Sequence, residues 1–366
     1  MRLSATLSFY IGRHFLVGFS VLFLAFLLLV LTFDIIELLR RAAIKPDVTF
    51  GSILQLALMK LPYMGLQTFP FAILFGGMAV FWRLTRSNEL VVTRGAGVSA
   101  WQFLFPVLLL AFLLGVIKIT VFNPLSSALL AKYERQEASL LKGQSSLLEI
   151  SKTGLWLRQA SDNGPSVIRA DRAVHKGRGI ELSNVAVFMY TNEDLFFSRI
   201  DAESAKLEDG FWSLKKAWIH EPEKSPKFKN THLLSTDLTI SSIQDSFAPP
   251  ETLSFWALPN FIKTLETSGF SAVRHRLHWH SLLAAPFLMC AMVLLAATFT
   301  LRHTRRGGAT FIIAGGAMSG FLLYFFSDVV FALGLSDSIP VTLAAWTPSG
   351  VAMLLGLAML LHLEDG

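Results

Sequence analysis

The sequence predicts an α+β membrane protein: six transmembrane helices, three plus three, flanking an inserted antiparallel β domain of sandwich or jelly-roll type. Three observations predict it. Six uncharged apolar runs punctuate the chain, each long enough to cross a hydrocarbon core of about 30 Å. Between the third and fourth runs lies a polar insert in which the apolar period changes from helical to alternating. Lys and Arg gather in alternate connections between the runs. Composition agrees: of 366 residues 53% are hydrophobic and 16% charged, with 31 Phe, more apolar than a soluble globular chain of this length.

Phe15 to Phe33 is the first run. It follows Arg2 and Arg13 without a small-residue cleavage site, so it reads as a retained span and not a signal peptide. The others are Leu61 to Trp82, Gly95 to Ile117, Ser281 to Leu301, Gly307 to Ser327 and Ser338 to Leu361. With the N-terminus inside, the inner segments carry Arg2, Arg13, Arg83, Arg86, Arg94, Arg302, Arg305 and Arg306, against Arg40, Arg41 and Lys45 in the short outer loops. This asymmetry places both termini in the cytoplasm and the insert outside, since long insertions translocate largely regardless of charge.

Within the insert, residues 154–161, 166–174, 179–190, 195–200, 204–208, 211–220 and 234–240 are short, alternating, and rich in β-branched and aromatic side chains. Turn signals separate them: Asp162-Asn163-Gly164, Lys176-Gly177-Arg178-Gly179, Asn192-Glu193-Asp194 and Glu208-Asp209-Gly210. Pro249-Pro250 ends the insert, and Leu258 to Thr267 reads as a short amphipathic helix returning to the membrane. Composition bounds the parts at 1–124, 125–256 and 257–366. The apolar strand faces form either an ordinary core or a groove for acyl chains; alternation serves both. About 150 residues suffice to fold without disulfides, and lone Cys290 offers none.

The segment Arg83 to Gly97 is a short polar stretch between two spans. Ser87 and Asn88 stand at a helix start, Glu89 lies in the first turn, Leu90, Val91, Val92 and Arg94 follow, and Gly95 and Gly97 stop it. A helix of about two turns is marginal alone in water. Either a soluble subunit braces it, or it is an interfacial turn that ties two spans together.

Chemistry-bearing patterns are few. There is no GxxxxGK[ST] loop, no GxSxG elbow and no HExxH, so this chain is not expected to hydrolyse ATP itself and no cofactor is assigned to it. His275, His278 and His280 lack an acidic residue or Cys at ligand spacing and read as interfacial histidines. Nineteen Lys/Arg face eighteen Asp/Glu between Asn123 and His280, without a basic stripe, which argues against nucleic acid as a partner. Arg40 and Arg41, beside Asp34 and Glu37, form either a self-satisfying helix-end network or a bidentate contact for a phosphorylated amphiphile. Lys132 and Arg135 extend that patch. Lys60 and Lys118 lie near the same face and read first as snorkelling, stems in lipid and ammonium groups at the interface. Asp328 either faces a bundle interior or sits in water one turn above the boundary.

With these residues in view, the sequence resembles the LptF/LptG permeases of the lipopolysaccharide export transporter, with the LptG branch the nearer. The likeness rests on the three-plus-three layout, on Ser87-Asn88-Glu89-Leu90-Val91-Val92 followed by Gly97-Val98, and on Gly154-Leu155-Trp156. It continues through Leu265-Glu266-Thr267-Ser268-Gly269 and Trp346-Thr347-Pro348. The resemblance implies an inner-membrane permease whose coupling helix, about 86–97, docks on a cytoplasmic LptB-like ATPase dimer through Arg86, Ser87, Asn88, Glu89, Leu90 and Arg94. It implies lipopolysaccharide as substrate, its phosphates met by Arg40, Arg41, Lys132 and Arg135 with Glu37 beside them; Asp34 stands where relatives can carry a cation. It further implies a periplasmic jelly-roll insert continuing into an LptA-like bridge, an LptF-like partner and an LptC-like single-span helix. Three alternatives remain: an LptF-type partner subunit, a membrane-anchored scaffold, and a mechanotransmission protein.

Overall fold

The computed structural model describes residues 5–43, 49–95, 99–138, 140, 148–151, 154–161, 164–176, 179–191, 195–208, 210–222, 224–236, 248–267, 271–301 and 309–365. Two compact units emerge. Residues 1–141, 250–258 and 273–366 form a helical unit; residues 142–249 with 259–272 form a β unit.

The helical unit contains α1 (Ala5–Ala42), α2 (Phe50–Arg86), α3 (Glu89–Gly95), α4 (Ala100–Ile117), a π-helical turn (Lys118–Phe122), α5 (Asn123–Glu137) and a 3₁₀ turn (Pro250–Thr252). Six of the described helical segments are long and apolar enough to cross a membrane. The last three are α7 (Val273–Thr300), α8 (Ala309–Leu335) and α9 (Val341–Asp365). Helix α6 (Leu258–Thr267) begins at the edge of this unit and otherwise belongs with the sheet.

The helices outrun the uncharged runs that announce them. In lipid every backbone polar group must be satisfied within the segment, so a span stays helical until its hydrogen bonds can be released to water or a cap. Helix α2 therefore starts at Phe50, where the Thr49 hydroxyl accepts from the Ser52 N–H at 3.3 Å. The third span continues through Lys118 and through α5 to Glu137. The helix thus runs past the compositional boundary at 125: α5 is polar but helical, and composition registers its polarity where backbone hydrogen bonding decides its shape.

Close helix crossings use small residues, as expected where lipid gives no hydrophobic drive for association. A Cβ on Gly76 of α2 would lie 3.0 Å from the Phe19 backbone of α1, and one on Gly115 of α4 would lie 2.6 Å from Pro286 Cα of α7. Around these crossings Phe15, Phe69, Phe81, Phe103, Leu104 and Met289 are fully buried in one core.

The β unit is a seven-stranded antiparallel sheet: β1 (Leu148–Ser151), β2 (Gly154–Ser161), β3 (Gly164–Lys176), β4 (Gly179–Tyr190), β5 (Phe196–Glu208), β6 (Phe211–His220) and β7 (Lys227–Ser235). Among the described residues its neighbours follow chain order, a meander. Alternation announces strands and their faces; tight turns such as Gly210, at φ 84°, decide that neighbours in sequence pair in space. The turn signals at 162–163, 177–178, 192–194 and 209, and the expected strand residues 237–240, lie outside the described residues.

A crease crosses this sheet. Pairing is skipped at one row, Asp171, Asn184, Glu203, Lys216 and Asn230, and resumes in unchanged register beyond it. Asn184 and Lys216 both adopt φ 52° there. At this level the inward positions of β4, β5 and β6 change parity. In β5 the buried residues pass from Ser198, Ile200 and Ala202 to Ala205 and Leu207; in β6 they pass from Trp212 and Leu214 to Ala217. The parity change also explains why β5 reads in sequence as two strands, 195–200 and 204–208: alternation fails at Glu203 while the backbone continues.

The creased sheet rolls over its own apolar face. Gln159 of β2, 2% exposed, accepts at Oε1 from the Trp212 indole of β6 at 3.2 Å and from the Thr236 hydroxyl after β7 at 2.6 Å. Strands β2 and β6 are separated by three others in the sheet, so the bond exists only because the sheet curls. Gln159→Leu leaves the Trp212 N–H without an acceptor and is expected to cost about 1–3 kcal/mol. Unfolding of the full chain in detergent should show this loss, and adding Trp212→Phe should recover part of it.

Candidate functional site

The charged residues singled out near the α1–α2 connection come together, in an arrangement that sequence spacing reveals only in part. Glu37 chelates both guanidinium groups one helical turn ahead: Arg40 Nε and Nη2 donate to its carboxylate at 2.9 Å, and Arg41 Nε at 2.8 Å. This is the helix-end network that the i, i+3 and i, i+4 spacing predicts. Arg41 Nη1 also reaches Glu137 of α5 at 3.3 Å, where the Tyr133 hydroxyl donates to the same carboxylate oxygen at 3.0 Å. Arg40 remains largely in the open, its side chain 76% exposed.

Asp34 does not join Glu37. It is 8% exposed and accepts from Lys60 Nζ of α2 at 2.6 Å, and that ammonium also stands 5.4 Å from the centre of the Tyr133 ring. Lys60 therefore does not snorkel, because a carboxylate inside the bundle offers it a partner that lipid cannot. The signal was present in the numbering. Asp34 and Lys60 lie equally far from residue 47, in the connection of an antiparallel helix pair, and so must meet at the same height.

Lys132 and Arg135 are exposed on the side of α5 opposite Tyr133 and Glu137, and among the described residues neither forms an ion pair. Glu137 and Tyr133 were missed as members of the cluster; their spacing from Arg41 gives no hint, since only the packing of α5 on α1 and α2 unites them. Lys45 lies outside the described residues.

At the other end of α2, the segment 83–97 breaks into two helices. Ser87 closes α2: its N–H and hydroxyl both donate to Arg83 O, at 2.9 and 3.0 Å, and the hydroxyl also bonds Glu89 at 2.8 Å. Asn88, at φ 58°, reverses the backbone, and α3 starts with Val92 N–H donating to Asn88 O. Ser87 thus terminates one helix, and the left-handed Asn88 begins the next. Arg86 stacks on Trp82 with 5.3 Å to the ring centre, and Val92 is 72% exposed. The side chains of Leu90, Val91 and Arg94, and residues Gly97, Val98, Ser268, Gly269, Arg302, Arg305 and Arg306, lie outside the described residues.

A third polar group lies within the helical unit, where Lys118, Asn123, Ser126, Glu251, His278 and Asp328 line a cavity of about 400 Å³. Asp328 is exposed at its wall. His275 is buried in α7 and does not line it.

A family model described as lipopolysaccharide export system permease LptF/LptG matches residues 9–362. The chain belongs to the LptF/LptG permease family. Among curated proteins this permease is 24% identical, over 306 residues, to lipopolysaccharide export system permease protein LptG of Escherichia coli strain K12, covering 80% of this chain and 81% of the relative. The same identity and coverage hold for LptG of Escherichia coli O6:H1 strain CFT073.

In this LptF/LptG permease the Asp34–Lys60 pair sits where removing one partner leaves a buried, unpaired charge, which typically costs about 3–5 kcal/mol. Lys60→Leu is expected to lower the melting temperature of the detergent-solubilised chain markedly, and Asp34→Leu with Lys60→Leu is expected to restore most of it. Equal melting of the single and double variants would remove this role.

Proposed function

We propose that the chain is one half of a permease that draws lipopolysaccharide from the outer leaflet of the inner membrane and passes it into a periplasmic β bridge. LptF/LptG family members are transport subunits, and the work of ATP falls to another polypeptide. The observation that carries the reading is the cluster at the α1–α2 connection, where the Arg40 and Arg41 guanidinium groups stand at the end of an apolar helix. An amphiphile with phosphates and acyl chains needs both features. Guanidinium suits the head, because its planar fork meets phosphate oxygens two at a time.

In this reading both termini are cytoplasmic and the β unit is periplasmic. Arg40 and Arg41, with Lys132 and Arg135, meet the phosphates, while Glu37 holds the two guanidinium groups in place until the substrate competes for them. Segment 86–97 is the coupling helix. Arg86, Ser87, Asn88, Glu89, Leu90 and Arg94 meet an LptB-like ATPase dimer, and the bare apolar side chain of Val92 gives that partner a surface to cover. The outward faces of α1 and α8, with Leu28 at 65% and Phe321 at 61% exposure, suit an LptF-like second permease and an LptC-like single-span helix. The rolled sheet suits continuation into an LptA-like bridge, its inner face apolar in both halves.

Arg40→Glu with Arg41→Glu removes the charge-assisted contacts at the rim, each worth about 1.5–3 kcal/mol, and is expected to reduce photocrosslinking to lipopolysaccharide at least about tenfold. Glu37→Gln, which frees the same guanidinium groups, is expected to raise it. Unchanged crosslinking in the double variant would refute the rim. Separately, Val92→Asp is expected to abolish co-purification of the ATPase while leaving lipopolysaccharide crosslinking in place; an intact complex would return the loop to a mere interfacial turn.

A further inference from the structure

The far end of α2 is tied to two other elements by a residue that neither the rim nor the coupling segment uses. Along α2, Gly77, Phe81, Leu84 and Thr85 recur at helical spacing on one face, and along α7, Val293, Ala296, Ala297 and Thr300 do the same. The two stripes pack together. A Cβ on Gly77 would lie 3.1 Å from that of Ala296, and Phe81, Leu84, Val293, Ala296 and Ala297 are buried in one core. The contact is apolar until its last turn, where the Thr85 hydroxyl donates to the Thr300 carbonyl oxygen at 3.3 Å.

Thr300 closes α7 and is buried. The closing carbonyls of a helix have no donor within it, so Thr85 supplies from another helix a hydrogen bond that α7 cannot make for itself. The same hydroxyl also donates to Phe81 O at 2.8 Å, inside α2. Thr85 is therefore satisfied without Thr300, and the longer bond serves the contact between the helices and not the folding of α2. On its other side Thr85 reaches the next element. Asn88 N–H donates to Thr85 O at 3.2 Å, and Asn88 is the left-handed residue from which α3 starts. One residue thus joins the start of α3 to the end of α7, between the first three candidate spans and the last three.

We propose that Thr85 is a positioning residue that makes α7 move with α2 when α3 is displaced, so that a push on α3 reaches the second group of three spans. An apolar stripe resists separation of two helices far more than it resists sliding, because van der Waals contact is non-directional. A hydrogen bond at the end of the stripe is directional and sets the height of one helix against the other. The bond stands at the level where α2 gives way to α3, so a displacement of α3 acts on it before it acts on the rest of the contact. The inference rests on the reading of segment 86–97 as the coupling helix and extends it to a residue outside that segment.

The test uses the full chain purified with its native partners and reconstituted in lipid, and it measures ATP hydrolysis and lipopolysaccharide release side by side. Thr85→Val keeps the shape and removes the donor. It is expected to hydrolyse ATP at the wild-type rate while releasing roughly fivefold less lipopolysaccharide per ATP, the factor that one neutral hydrogen bond typically supplies. Thr85→Ser, which keeps the hydroxyl, is expected to match wild type. Spin labels introduced by Arg83→Cys on α2 and Leu301→Cys beyond α7 give a second readout. Their separation should stay fixed on trapping with ATP and vanadate in wild type and Thr85→Ser, and should change in Thr85→Val. Wild-type release per ATP with a fixed separation in Thr85→Val would overturn the link, as would equal losses in the Val and Ser variants, which would leave a packing role alone. If Thr85→Val fails to fold, Thr85→Ala carries the same comparison. Failure of the wild-type chain to bring down an ATPase would instead sink the coupling reading, and the link with it.

Discussion

A charged group placed in an apolar helix bundle has to be neutralised by something within hydrogen-bonding reach, and the pair Asp34–Lys60 is where this chain meets that requirement most directly. At 2.6 Å and with Asp34 8% exposed, the pair fixes the height of α1 against α2. Helices held by van der Waals contact alone can slide by a turn at little cost in lipid, but a slide here would strand both charges. The energetic asymmetry decides the matter: such a pair contributes little compared with apolar replacements, while breaking it costs several kcal/mol. The pair therefore acts as a register pin more than as a source of stability. Tyr133 stacks on Lys60 and bonds Glu137, and Glu137 receives Arg41, so the placement of α5 follows from the same pin.

That chain of contacts sets what the rim can do. Glu37 and Glu137 hold Arg41 from two sides, whereas Arg40 is held by Glu37 alone. Of the two, Arg41 is tied to the neighbouring helix and Arg40 is the more exposed. Asp34 is committed to Lys60: the bundle needs an acid there for a lysine on the neighbouring helix. A cation at 34 would face Lys60 with like charge.

Much of this was legible in the sequence and some of it was not, for identifiable reasons. Apolar run length shows how many helices cross, because the membrane sets one threshold for all of them. The Glu37–Arg40–Arg41 network is local and was readable from helical spacing. Strand existence was readable from alternation, but strand continuity was not: the crease at Glu203 and Lys216 inverts the alternation without ending the strand, so a period-two reading splits β5. The parity change is what keeps Ala205, Leu207 and Leu214 on the same inner face as Ile200 and Ala217. Sequential pairing, by contrast, leaves no mark on hydrophobic pattern at all. Contacts across elements, such as Tyr133 with Lys60, required packing to be known.

Lys60 and Lys118 show how one residue type meets two different surroundings in the same bundle. Each follows an apolar stretch and each reads as a snorkelling lysine. Lys60 finds a carboxylate and an aromatic face, and its charge is accounted for within the chain. Lys118 finds only an aromatic face, on a turn whose hydrogen bonding departs from the α pattern. A cation–π contact offsets part of a desolvation cost, on the order of 1–2 kcal/mol, well short of what an ion loses on leaving water. The Ser126 hydroxyl and His278 Nε2, both buried without a hydrogen-bond partner, fall on the wall of the same cavity.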